Sequence, residues 1–228
     1  MVEVVVKLAN PDPPGFTFGH LSLAYELPGA MLARASGLSV PDYMIVDINL
    51  EFATAVPRSM NRLFSSNIGL HFGGTYYPGI GEFVPGTRVT SQVELQDLEN
   101  ILSFDAMILN TDRHELKPNL LQSATEYLLI DHSTILPLHI PPSQTHLTHY
   151  QISEHLLFRT LTRKNRQYVS HVGQWNSALS PIDIWELLAC VPDEWATPFE
   201  HYQTMKRFLS DRRMDGPEVT ALLKEVVQ

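Results

Sequence analysis

The segment FDAMILNTDRHELKPNLL, residues 104–121, is followed closely by YLLIDHS, residues 127–133. Upstream of it, Val93, Leu95, Leu98, Ile101, Leu102, Ala106, Ile108 and Leu109 recur at helical spacing, which predicts one or two helices over 92–109 that run into a polar loop. That loop holds Asp112, Arg113 and His114, with an amide at Asn119. Beyond it, residues 127–130 are aromatic and aliphatic and read as a short strand that stops at a second acid, Asp131.

A carboxylate and an amide in one loop, with a second carboxylate at a strand end, are the residue types that phosphoryl transfer needs. Charge developing on the transferred group is met by divalent ions held on carboxylate and amide oxygens, while another carboxylate positions the attacking hydroxyl. On this reading Asp112 positions the hydroxyl, and Asn119 and Asp131 hold metal. The plainer alternative makes Asp112 and Asn119 turn residues bonded to their own backbone, with Asp131 merely ending a strand.

Working outward, residues 2–8 are dominated by valine and read as a strand that ends at the breaker cluster NPDPPG. Leu23, Leu27, Ala30, Met31 and Ala35 predict an amphipathic helix over 21–36, closed by Gly37, with Pro28 as a kink point. The run YMIVDINLEFAT, residues 43–54, predicts one or two further strands. Residues 65–81, with GLHFGGTYYPGIG inside, read as irregular loop. EFVPGTRVT, residues 82–90, reads as the hinge between two lobes. After PLHIPPS the pattern is mostly helical, broken near Gly173, Pro181 and Pro192.

Two upstream residues complete the constellation. Lys7 near the end of the first strand can point a cation into a cleft and neutralise nucleotide phosphates, and Glu26 on the following helix can pair with it. Taken singly, each also reads as an ordinary surface residue.

In their order, VVVKLAN (4–10), AYELPGAMLARASGLSVPDY (24–43), GLHFGG (69–74), the 104–121 loop and YLLIDHS resemble the HipA-like kinases, a branch of the protein-kinase-like superfamily related to phosphoinositide kinases. The tail segments LLACVPDEWATP (187–198) and MKRFLSDRRM (205–214) resemble the helical end of that family's C-terminal lobe. The resemblance implies an α+β, two-lobed kinase-like fold with a reduced β-rich N-lobe over 1–86 and a mainly helical C-lobe over 87–228. It implies an ATP- and Mg2+-dependent phosphotransferase acting on a protein Ser or Thr hydroxyl. It places Lys7 on the ATP phosphates with Glu26 as its partner, Asp112 as catalytic base, Arg113 and His114 shaping the loop or touching phosphate, Asn119 and Asp131 as magnesium ligands, and adenine against Glu82, Phe83 and Val84. Two departures stand out. Asn119 lies seven positions after Asp112, two more than the family spacing, so either the loop carries an insertion or the amide is displaced. The family also has strands and a small-residue phosphate-covering loop before the lysine strand. Three expectations follow: an upstream segment supplies them, a second chain supplies them, or the chain is an impaired pseudokinase or half-kinase that binds a protein partner.

Composition narrows the classes. The 228 residues are 44% hydrophobic and 18% charged, with a formal net charge of −9, which predicts a globular protein and argues against nucleic-acid binding. Its modest basic run, Arg163, Lys164 and Arg166, reads as a solvated helix end or loop. Cys190 is the only cysteine, so no internal disulfide forms, and a reducing cytoplasm fits. Residues 1–10 are too charged for a signal peptide, and no run approaches a membrane span. His132, His139, His146, His149 and His155 crowd one stretch without a metal-ligand spacing such as HExxH. No P-loop lysine motif and no GxSxG elbow occurs. Trp175, Trp185 and Trp195 read as packing anchors.

Overall fold

The computed structural model describes residues 2–9, 20–89, 91–124, 126–135, 153–158, 160–161 and 184–195, with 203, 207, 208 and 221. The chain is α+β, built on two three-stranded antiparallel sheets. The first has the order β1 (Val4–Lys7), β3 (Gly69–Thr75), β2 (Tyr43–Ile48), and the second the order β4 (Gly81–Glu82), β5 (Leu120–Gln122), β6 (Tyr127–Leu129). Helix α1 (His20–Ala35) follows β1. The short helices α2 (Leu50–Ala55) and α3 (Arg58–Ser65) lie between β2 and β3, and the long α4 (Gln92–Ile108) leads into the polar loop. Near the C-terminus come α5 (Ile184–Ala189) and a 3₁₀ turn (Asp193–Trp195).

The expected strand at residues 2–8, helix at 21–36 and strand at 127–130 are present with ends shifted by one or two residues, and the helical pattern over 92–109 forms a single helix, Gln92–Ile108. Pro28 stays inside α1, where it removes the N–H that would have bonded Ala24. Two expectations are corrected. The glycine-rich stretch read as loop is β3, the central strand of its sheet, with Lys7 opposite Phe72 and Ile45 opposite Phe72 on the other side. Two neighbours satisfy its backbone, and Gly73 suits the place. A Cβ there would lie 2.7 Å from Val46 Cγ2 and 2.8 Å from Val4 Cγ1, because the flanking valines already cover the position. The second strand sought within 43–54 is instead helix α2, started by Asn49, whose side chain accepts the Phe52 N–H at 2.8 Å. Residues 120–122 form β5.

The main core surrounds α4, from Leu95 and Leu98 to Phe104 and Ile108, and takes in Phe83, Leu120, Leu129, Leu156 and Leu157. From Ile101 to Ile108 every residue of α4 is buried, polar Ser103 and Asp105 included. A smaller core joins Leu23, Ala24 and Leu27 of α1 to Val191 and Trp195. Trp195 is fully buried, as expected of a packing anchor. Its Nε1 donates to the Leu70 carbonyl at 2.8 Å, while Glu194 accepts the Leu70 N–H at 3.2 Å. The end of β3 that β1 does not reach is thus satisfied by the 3₁₀ turn.

The side chains of Trp175 and Trp185, His139, His146, His149, the run Arg163 to Arg166 and most of the helical tail lie outside the described residues. No helix among the described residues is long and apolar enough to cross a membrane.

Candidate active site

Three elements distant in sequence deliver their polar groups to one place. Lys7, at the end of β1, donates to Glu26 Oε2 at 2.7 Å and to Asp131 Oδ1. Glu26 is buried on α1, and its second oxygen accepts the backbone N–H of His132 at 2.9 Å, so one carboxylate ties β1, α1 and the strand end together. Burial alone pushes the Glu26 carboxyl up. Lys7 and the hydrogen bond from His132 outweigh it and hold the group below its ordinary value. Asp131 behaves alike: burial pushes up, but Lys7, the Ser133 hydroxyl at 2.7 Å and Lys117 keep it ionised well below the carboxylate range. Burial would lower the Lys7 ammonium, and Glu26 and Asp131 raise it instead.

The polar loop starts at a left-handed helix cap, Leu109 (φ 52°), and Asn119 (φ 47°) and Asp131 (φ 54°) also lie in the left-handed region. Such backbone is costly for side chains other than glycine, least so for Asn and Asp, and it persists only where the surroundings enforce it. At Asn119 the enforcing group is Asp105 with Arg113. Asp105 is fully buried, accepts Asn110 Nδ2 at 2.9 Å on one oxygen, and Arg113 Nε at 2.6 Å and His155 Nε2 at 2.9 Å on the other. His155 Nδ1 accepts the Leu157 N–H at 3.1 Å, which makes Nε2 the protonated nitrogen. Arg113 then donates to the Asn119 carbonyl, and Asn110 accepts the Asp112 N–H at 3.2 Å. Burial would raise the Asp105 carboxyl, yet Arg113 and His155 bring it down to about 2.

Asn119 does reach Asp112, its Nδ2 lying 3.2 Å from the Asp112 carbonyl and 3.5 Å from Oδ2. His114 and Lys117 exchange backbone hydrogen bonds of 3.1 and 3.0 Å, so the chain makes a tight turn at Glu115 and Leu116. The turn returns Lys117 to the site, where its Nζ donates to Asp112 Oδ2 and lies 3.1 Å from Asp131 Oδ2.

Beside these groups is a cavity of about 460 Å³. Val5, Lys7, Phe72, Gly74 and Thr75 of the first sheet line one wall with Glu26 and Ala30 of α1. Leu121, Leu129, Ile130, Asp131 and His132 line the other, and Tyr76, Tyr77 and Ile80 close it after β3. A mostly apolar cavity of this size with a few polar groups at one end has the character of a small-molecule site.

The structure therefore brings Lys7, Glu26, Asp112, Asn119 and Asp131 together. It does not bring Glu82, Phe83 and Val84 to the cavity: Glu82 and Val84 are exposed, and Phe83 is buried in the core in edge contact with Tyr127. Tyr76, Tyr77 and Ile80 line the cavity instead. Arg113, buried completely, shapes the loop from within and touches no solvent. His114 Nε2 lies 3.9 Å from Asp112 Oδ1, beyond hydrogen-bond reach. Sequence reasoning missed Asp105, His155 and Lys117. Asp105 carried a signal, an acid within an apolar run, and Lys117 stood inside the loop that was read.

The donor set fits a hard divalent ion. Carboxylate oxygens of Asp112 and Asp131 converge on one cation, Lys117 Nζ, with the Asn119 amide alongside. A comparison with curated proteins finds no match. The sequence pattern of the family described as HipA-like kinase matches residues 15–215. With that match spanning most of its length, the chain belongs to the HipA-like kinase family, a family of kinase-type phosphotransferases.

Proposed function

We propose that the chain transfers the terminal phosphoryl group of ATP to a Ser or Thr hydroxyl of a protein, with Mg2+ as its ion. The observation that carries this reading is Lys7, bonded at once to buried Glu26 and to Asp131 at the rim of the cavity. In that position its ammonium can meet nucleotide phosphates while Glu26 keeps it in place. Asp112 presents a carboxylate beside Asp131 and accepts the proton of the attacking hydroxyl. Asn119 and Asp131 would hold the magnesium ion, which when bound neutralises charge on the phosphates. Adenine fits the apolar part of the cavity, among Val5, Ile80, Leu121 and Leu129. The site chemistry suits a hydroxyl acceptor, and the family resemblance favours a protein one.

One further observation bears on partners. β1 pairs only with β3 among the described strands, and Val5, which lines the cavity, is 61% exposed. An added strand along β1, from another segment or a second chain, would cover Val5 and the nucleotide. Without such a strand the same surface serves a pseudokinase or half-kinase that binds a protein partner.

Calorimetry with ATP tests the reading, with and without magnesium, on the parent chain and on Asp131→Ala and Lys7→Ala. Magnesium-dependent binding that both substitutions abolish is expected. Absence of binding by the parent, alone and with candidate partner chains, would overturn the nucleotide site. Binding without phosphoryl transfer to any protein would favour the pseudokinase reading.

A further inference from the structure

We propose that Lys117 is a built-in substitute cation: shared by Asp112 and Asp131, it occupies the Asp131 oxygen that a divalent ion would take and must leave before the ion binds. The proposal rests on the reading of Asp131 as an ion ligand.

The ammonium of Lys117 contacts one oxygen of each carboxylate, Asp112 Oδ2 and Asp131 Oδ2. A cation already shared by two acids competes directly with a second cation, because the ligand oxygens are taken and the two positive charges repel. The chain's own geometry puts it there. The turn at Glu115 and Leu116, closed by the paired backbone bonds of His114 and Lys117, leaves the Leu116 side chain 93% exposed and folds Lys117 back over Asp112.

Asp131 holds two lysines, and their surroundings assign them different tasks. Lys7 is also gripped by Glu26, a buried carboxylate that has no other cation of its own among the described lysines and arginines. Lys117 has no buried partner, its side chain is 46% exposed, and its flexible stem can swing into solvent. Lys7 therefore stays with Asp131 when the ion arrives, and Lys117 is the one displaced. The arrangement keeps Asp112 and Asp131 close without an ion and raises the ion concentration at which the site fills. Linkage makes the effect reciprocal: whatever Lys117 gains from the two acids, the ion loses.

Mn2+ binding in the absence of nucleotide, read from the electron paramagnetic resonance signal of free Mn2+, tests this without reference to turnover. Lys117→Met and Lys117→Gln should each bind Mn2+ about tenfold tighter than the parent chain, and Lys117→Arg, which keeps the charge, should bind like the parent. Unchanged or weaker binding by both neutral variants would overturn the proposal. Asp131→Ala separates the two ideas. If it abolishes Mn2+ binding while the neutral variants match the parent, only the role of Lys117 fails. If it binds Mn2+ like the parent, the ion-site reading fails and this proposal with it.

Discussion

Replacing Asp105 by Asn probes the buried group that holds the polar loop in shape. Asp105 contacts nothing in the cavity, yet its two oxygens serve Asn110, Arg113 and His155. An amide offers one acceptor where there were two, adds a donor facing donors, and leaves the Arg113 guanidinium buried without a counter-charge. Removing one member of a buried ion pair costs roughly 3–5 kcal/mol. The pH dependence supplies a second, independent magnitude. The Asp105 carboxyl titrates at about 2 in the folded chain against 3.8 ordinarily, because Arg113 and His155 overcome its burial. Since the folded value is depressed, this contribution is full above the ordinary value and is lost as pH falls through about 2; it amounts to about 2 kcal/mol. Urea unfolding followed by tryptophan fluorescence should show Asp105→Asn less stable by roughly 3–5 kcal/mol at neutral pH, with the gap narrowing below about pH 4. Adding Arg113→Met should recover part of the loss, since the stranded charge is gone. ATP binding should weaken as well, because Arg113 holds the Asn119 carbonyl. A loss below about 1 kcal/mol, or a gap that does not change with pH, would refute the reasoning.

Glu99 is the converse case, a buried acid on α4 whose Oε2 has no hydrogen-bond partner and whose carboxyl is pushed up to about 7 by burial. With the folded value above the unfolded one, the folded chain binds more protons, so stability falls as pH rises from about 4.5 to 7 and levels off beyond. Glu99→Gln should gain about 3 kcal/mol at pH 8 and little near pH 5, and parallel pH profiles from thermal unfolding would contradict this. Gly29 lies where α1 meets the strand end: a Cβ there would stand 2.4 Å from His132 Cβ and 2.9 Å from Ile135 Cδ1. Alanine gains about 1 kcal/mol of helix propensity, but overpacking costs about 1–3 kcal/mol, and His132 cannot step aside while Glu26 holds its N–H. Gly29→Ala should therefore lose stability and weaken ATP binding by shifting Asp131. A variant that unfolds later than the parent would show the contact is soft.

Much of the site was legible because its parts are local patterns. A valine-rich strand ending at Lys7, a helix carrying Glu26, an apolar helix entering a polar loop and an acid at a strand end can each be read within one window of sequence. The clearest failure has a plain cause. Gly69–Thr75 looks like loop by composition, since glycine has weak strand preference, and becomes a strand because β1 and β2 supply hydrogen bonds from both sides. After that strand Tyr76, Tyr77 and Ile80 line the cavity, while Phe83 lies in the core.

The sequence by itself determined the inventory and its order: a strand lysine, a helix acid, a loop with Asp112 and Asn119, and Asp131 at a strand end, in a chain of the HipA-like kinase family. Only the tertiary structure decided which charges share a space. Asp105 holds Arg113 and His155, residues 8 and 50 positions away, and Lys117 stands against an acid that precedes it and another that follows. Those pairings depend on distances of a few ångströms across a folded chain, where burial strengthens each charge interaction, and no spacing along the sequence encodes them.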